Sequence, residues 1–213
     1  MEILKQLPIR NVDIHAYNQE LIEARVQHEL LSQTIKDPQA FSSVLDIGSS
    51  SGAFLHYMFE RGFKRLIGFE AHRGLSRVKD HPIAIEIYEQ KYQYEKIKYE
   101  RFDLITVHES KELTENPRYF LESLKVLLKP TGVLMLALRM NKKEVKQLLE
   151  DAGFEVLAQD FYADSLTVKQ WLLVSKMPAW LRDTILDFVI LFRLENLQIK
   201  LRRGSLATTA RRR

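Results

Sequence analysis

Seven residues, Asp46-Ile47-Gly48-Ser49-Ser50-Ser51-Gly52, constrain the fold of this chain more than any others. They follow the short apolar run from Phe41 to Ile47 and precede Ala53 to Arg61, where apolar residues recur at helical spacing. A strand that passes through small residues into a helix leaves backbone N–H groups at the helix N-terminus, and Gly48 and Gly52 let that backbone approach a ligand closely. Gly62 then closes the helix.

Three ligand classes compete for such a turn. A dinucleotide loop needs glycines spaced G-x-G-x-x-G, but Ser50 stands at the second of them and Gly52 lies four residues after Gly48. Asp46, two residues before Gly48, would repel a pyrophosphate and attract an ammonium or sulfonium centre. S-adenosylmethionine carries both cations and a single carboxylate. The third reading takes Gly48-Ser49-Ser50-Ser51-Gly52 as G-x-S-x-G, the elbow of a serine hydrolase with Ser50 as nucleophile. That fold runs serine, acid, histidine, yet all six histidines lie at or before His108. Asp103 and His108, the only ordered pair on a suitable strand, sit five residues apart and make a poor triad, so the hydrolase is the distant alternative.

Beyond the turn, Arg65 to Glu70, Ile83 to Ile87, Phe102 to Val107 and Val133 to Leu138 read as strands, and Pro117 to Leu128 and Lys142 to Ala152 as helices. This alternation predicts an α/β fold, a Rossmann-like three-layer sandwich around a mainly parallel seven-stranded sheet. Phe154 to Leu157 and Val168 to Val174 supply the last two strands, too close in sequence for a crossover helix and so antiparallel. The expected organisation is a helical lead-in over residues 1–40 ended by Pro38, a ligand-binding domain over 41–177, and a C-terminal segment over 178–213. In that segment Ala179 to Leu201 reads as one apolar helix and Gly204 to Arg213 as a disordered basic tail.

Charge and cysteine content exclude more than they select. With no cysteine, disulfides, thiolate metal sites and cysteine nucleophiles are absent. The remaining histidines have no spacing with carboxylates that suggests a metal. The net charge of +4 resides in the last 35 residues, where eight Lys/Arg face three Asp/Glu, so the body of the chain gives no nucleic-acid signal. Tyr88 to Tyr99 interleaves tyrosines and lysines, but Glu89, Glu95 and Glu100 cancel the charge. The N-terminus lacks a basic segment followed by an apolar run, and no apolar stretch approaches the roughly 20 residues of a membrane span; the expectation is a cytoplasmic protein.

Phe41 to Met177 resembles the class I S-adenosylmethionine-dependent methyltransferases, particularly their small-molecule and quinone-type members. Val44-Leu45-Asp46-Ile47-Gly48-x-x-x-Gly52 is similar to the family's first motif, with Ser50 replacing the usual middle glycine, and Ile67-Gly68-Phe69-Glu70 to its second. Phe102 to Ile105, Leu127 to Leu134 and Leu148 to Val156 follow in the family's order. The resemblance implies S-adenosylmethionine as cofactor. It places Asp46 near the methionine amino group and the amides from Gly48 through Ser50 to Gly52 along the methionine end. It puts Glu70 on the ribose hydroxyls and Glu89 at the adenine amino group. The family's Leu-Glu-His element is lacking, and Thr131 stands where glycine is common.

Methyl transfer from a sulfonium needs positioning more than acid–base help. If a base acts, His108 is the expected catalytic residue, with Glu109 second, because they follow the fourth strand. The expected acceptor is a small molecule or lipid-like compound, since only Arg139-Met140-Asn141 separates the fifth strand from the next helix and leaves no room for a covering insertion. The apolar C-terminal helix is expected to pack on the sheet or on a second subunit. A sharper reading lays it, with the arginines, on an anionic membrane surface. The other class of reading is a non-catalytic scaffold that has kept the fold.

Overall fold

The computed structural model describes residues 14–34, 41–72, 84–108, 110–161, 164–167, 178–191, 198–201 and 206–213. The first half contains α1 (Ile14–Thr34), β1 (Ser43–Ile47), α2 (Ala53–Glu60), β2 (Arg65–Phe69), β3 (Ile85–Tyr88), α3 (Tyr94–Ile97) and β4 (Phe102–His108). Then come α4 (Lys111–Glu115), α5 (Pro117–Leu127), β5 (Leu128–Leu138), α6 (Lys142–Asp151) and β6 (Phe154–Phe161). The chain ends with β7 (Asp164–Thr167), α7 (Ala179–Leu191), β8 (Gln198–Leu201) and β9 (Leu206–Arg212). Two compact units result: Met1–Asp160 with Leu206–Arg213, and Phe161–Ser205.

The first unit carries a seven-stranded sheet in the order β3-β2-β1-β4-β5-β9-β6. From β3 to β5 neighbouring strands run parallel, while β9 is antiparallel to β5. The expected Rossmann-like, mainly parallel sheet is therefore what the chain forms. Alternate residues along the strands face opposite layers. Val44, Leu66, Leu104 and Met135 pack with Ala24 and Leu31 of α1 and Phe54, Leu55 and Met58 of α2. Leu45, Ile67, Ile105 and Leu136 pack with Phe120, Leu121 and Leu124 of α5 and Val145 and Leu149 of α6. Local signals start the helices: the Asn116 side chain accepts from Tyr119 N ahead of Pro117, and that of Asn141 accepts from Glu144 N at 2.9 Å.

The antiparallel strand beside β5 comes from a segment that the sequence reading left outside the sheet. Residues 168–174 and Pro38 lie outside the described residues, and the strand beside β5 is Leu206–Arg212. The segment expected to be a disordered tail is thus an interior strand, between β5 and β6, with residues 206–210 buried. Leu134 to Leu138 pair with Ala210 to Leu206, Arg211 Nε reaches Glu155 Oε2 at 2.7 Å, and the Arg213 amide donates to the Gly153 carbonyl at 3.1 Å. A short Ala-Thr-Thr-Ala run beside three arginines has no local strand signal; its order comes from the partners on either side. In the second unit the helix starting at Ala179 is described only to Leu191, and Gln198–Leu201, expected as its end, is a strand paired antiparallel with β7. That unit spans Phe161–Ser205.

Asp103 ties the far end of the sheet. Its Oδ2 accepts from the Ser42 and Ser43 amides at 3.0 Å each, from Ser43 Oγ at 2.7 Å and from Lys129 Nζ at 2.8 Å. Burial pushes this carboxyl upward, but Lys129 and the serine donors more than offset it, and it sits below the ordinary carboxylate range. A depressed folded-state pKa contributes stability above the unfolded value of about 3.9, lost as pH falls through the folded value. Asp103→Asn should therefore cost about 1–3 kcal/mol at pH 7 and much less near pH 2. Urea denaturation of both proteins at the two pH values checks this; an equal cost at both refutes the ionised role.

Candidate functional site

Parallel strands on either side of β1 connect in opposite directions, so a crevice opens at the carboxyl ends of β1 and β4. Asp46 stands there in register with Gly68 of β2 and Thr106 of β4. It is fully buried and faces the α1–α2 layer, as its alternation with Leu45 and Ile47 requires. Thr106 Oγ1 donates to Asp46 Oδ1 at 2.6 Å, and His108 Nε2 lies 3.3 Å from the same oxygen. Asp46 Oδ2 is also out of solvent and has no hydrogen-bond partner among the described residues.

The turn is left-handed at three points, with φ of 82° at Gly48, 49° at Ser50 and 83° at Gly52. Ser50 thus adopts a left-handed conformation, at a cost of roughly 1–2 kcal/mol for an L-residue. Contacts on both sides hold it: its amide donates to Glu70 Oε2 at 2.8 Å and its hydroxyl to Glu20 Oε1 of α1 at 2.9 Å. The Ser51 hydroxyl donates to Glu20 Oε2. The Gly48 and Ser49 amides both go to the Phe69 carbonyl, and the Gly52 amide to the Ser49 carbonyl. The amides of Gly48, Ser49, Ser50 and Gly52 are therefore bonded within the fold.

Glu70 is buried just beyond β2, and its Oε1 accepts from the His72 amide at 2.8 Å with the His72 ring Nδ1 at 3.1 Å. A carboxylate offers about four acceptor sites, so it retains capacity for a ligand hydroxyl. Glu89 stands exposed directly after β3, apart from this cluster. Glu109 falls outside the described residues. Burial opposes charge on the His108 ring, but Asp46, helped by Glu23 and Glu20, outweighs it and raises the imidazole above its usual value. Asp103 lies at the opposite end of β4, tied to Ser42, Ser43 and Lys129, and Ser50 Oγ faces Glu20; the hydrolase constellation is not assembled.

These groups surround a cavity of about 210 Å³ between the turn, His108, Phe54 and α1. Its wall carries Glu20, Glu23 and Asp46, with His108 as its one titratable nitrogen. Two side-chain atoms that are buried without a hydrogen-bond partner among the described residues, Asp46 Oδ2 and Ser49 Oγ, belong to residues lining it, as does His108, whose Nε2 is paired with Asp46 Oδ1. Such groups are costly to leave unmet and mark a place prepared for a polar ligand. An ammonium, a sulfonium and hydroxyls suit this donor set, whereas a pyrophosphate does not. A second cavity of about 350 Å³, walled by Tyr92, Tyr94, Tyr119 and Phe120, is larger but has no such atom on its lining.

Sequence reasoning did not identify Thr106 or Glu20 as parts of the site, and it gave the side chains of Ser49 and Ser51 no role. Thr106 was visible only as a polar residue among the apolar ones in the middle of β4. Glu20, Glu23 and Gln27 share one side of α1 by their spacing, but nothing local says that this side covers the turn.

The sheet order, the crevice beside β1 and the acid-walled turn define a Rossmann-like domain built around a small cationic ligand. The family model for a methyltransferase domain matches residues 14–141, from α1 to the start of α6, and the chain belongs to the class I S-adenosylmethionine-dependent methyltransferase family. It is 28% identical over 153 residues to a ubiquinone biosynthesis O-methyltransferase of Leptothrix cholodnii, covering 68% of this chain and 63% of that relative. The glycopeptide N-methyltransferase MtfA, solved with S-adenosyl-L-methionine, superposes with a TM-score of 0.56 at 11% identity over 89% of this chain and 94% of its own. The [4+2]-cyclase SpnF superposes with a TM-score of 0.58 at 14% identity over 89% and 80%.

Proposed function

We propose that this chain binds S-adenosylmethionine over the Asp46–Gly52 turn and transfers its methyl group to a small-molecule or lipid-like acceptor. The observation that carries this reading is Asp46 Oδ2, a buried carboxylate oxygen with no partner on the wall of a cavity rich in acids. An ammonium there would gain a charge-assisted bond and relieve a desolvated charge in one step. Glu70 would take the ribose hydroxyls with its remaining lone pairs, and Glu89 the adenine amino group.

When bound, the cofactor supplies a methyl group on a sulfonium, already activated for in-line displacement. The chain's part is to orient and to manage a proton. In the ligand-free protein the acids beside His108 favour its imidazolium, which accepts no proton. Asp46 would hold the cofactor's ammonium, and a carboxylate so engaged would favour the His108 imidazolium less, leaving the ring better able to accept a proton. The name of the Leptothrix relative favours an oxygen acceptor of quinol type.

Calorimetry with S-adenosylmethionine, followed by a tritiated-methyl assay on host lysate separated into lipid, small-molecule, protein and nucleic-acid pools, tests the proposal. Micromolar binding and label in the lipid or small-molecule pool are expected; no binding at millimolar cofactor refutes it. Binding without label in any pool would favour the scaffold reading, for which the cyclase SpnF is a precedent of this fold carrying another activity.

The exposed Trp180, Phe188 and Ile190 of α7 support contact with a membrane or a second copy of the chain. The terminal arginines support it less, because Arg211 and Arg213 lie beside Glu155 and Glu150. Among the described residues no helix is long and apolar enough to cross a membrane, so such contact would be peripheral. Flotation with anionic vesicles checks it.

A further inference from the structure

α1 holds a carboxylate against two hydroxyls of the ligand-binding turn. Glu20 spans them with both oxygens, Oε1 accepting from Ser50 and Oε2 from Ser51. Hydroxyls paired in this way form a receptor for any carboxylate, since the bond depends on acceptor charge and direction and not on which molecule supplies it. Among the described residues lining the cavity there is no lysine or arginine. The cofactor proposed above has a carboxylate one carbon away from its ammonium. With that ammonium on Asp46 Oδ2, the carboxylate would have to be met by the same lining, where Glu20 already engages the Ser50 hydroxyl and Glu23 adds a second acid.

We infer that Glu20 is a built-in competitor for the cofactor's amino-acid end, which enters by exchanging its own carboxylate for that of Glu20 on Ser50 and Ser51. Two O–H···O bonds break and two form, and no proton is transferred. Glu20 then sets affinity and selectivity: ligands with an amino-acid end must displace it, and the bare nucleoside thioether need not. The exchange also frees the first turns of α1 from the glycine-serine turn. This inference rests on the cofactor reading, and the experiment separates the two.

S-adenosylhomocysteine and 5′-methylthioadenosine share the nucleoside thioether and differ in the amino-acid end. Their dissociation constants are measured by calorimetry for the wild-type chain, Glu20→Ala and Glu20→Gln, with melting curves to establish that each variant folds. Glu20→Ala should bind S-adenosylhomocysteine about tenfold more tightly, the scale of one lost charge-assisted competitor, and 5′-methylthioadenosine within about twofold of wild type. Glu20→Gln should fall between. In wild type, S-adenosylhomocysteine should speed amide hydrogen exchange over residues 14–24, and 5′-methylthioadenosine should not.

Weaker binding of S-adenosylhomocysteine by Glu20→Ala would make Glu20 a ligand for the cofactor and overturn the inference. No change, or an equal change for both ligands, would overturn it as well while leaving the cofactor reading intact. Binding of neither ligand to any of the proteins would bring down both.

Discussion

Asp46→Asn is expected to bind S-adenosylmethionine roughly 30- to several-thousand-fold more weakly than wild type, with a melting temperature unchanged or raised. Removing one partner of a buried charge pair costs about 2–5 kcal/mol of binding, which sets that range. The fold does not need the charge. Asparagine keeps an acceptor for Thr106 Oγ1, and it removes a fully buried carboxylate whose Oδ2 is unmet in the ligand-free protein. A residue that weakens the empty fold and strengthens the complex is the pattern of a binding site held at a cost in stability.

The same variant reports on His108. Asp46 is the largest influence raising that imidazole, and without it burial dominates, so the ring should titrate below its usual value. A raised folded-state pKa gives stability that is present below the unfolded value and lost as pH rises through the folded one; Asp46→Asn removes this contribution, so the unchanged or raised melting temperature is expected at alkaline pH and a lowered one at acid pH. Calorimetry, melting curves and an NMR titration of His108 check the three outcomes. Unchanged affinity would detach Asp46 from the ligand, and an unchanged His108 titration would detach it from the base.

The parts of this site that were legible in the sequence are those encoded by local pattern. The β1–turn–α2 unit announces itself through an apolar strand, left-handed positions and helical spacing, and Glu70 through its place at a strand end. What was illegible depends on contacts between distant segments. β9 is polar and short, and only its pairing with β5 distinguishes Thr208 and Thr209 from a tail. Glu20 looks like any solvated acid on α1 until the helix is laid over the turn. The placement of Asp103 is a matter of reach: five residues of extended strand span about 16 Å, so Asp103 and His108 serve opposite ends of β4 and could not have shared a catalytic centre.

Gly48→Ala should destabilise the chain by about 2–5 kcal/mol and, in whatever fraction remains folded, abolish cofactor binding. Two costs add. Gly48 has a φ of 82°, which costs an L-residue roughly 1–2 kcal/mol. A Cβ built there would lie 2.4 Å from the His108 carbonyl oxygen, a backbone atom that cannot swing aside, and overpacking of this kind costs about 1–3 kcal/mol more. Relief requires the end of β1 to move away from β4, which would pull Asp46 from Thr106 and His108, the contacts that aim its free oxygen at the cavity. The loss of binding should therefore exceed what instability alone explains. Urea denaturation with calorimetry on the folded protein separates the two effects. Stability within about 0.5 kcal/mol of wild type, the range of a neutral surface change, would mean that the turn relaxes freely and that close packing against β4 does not position Asp46.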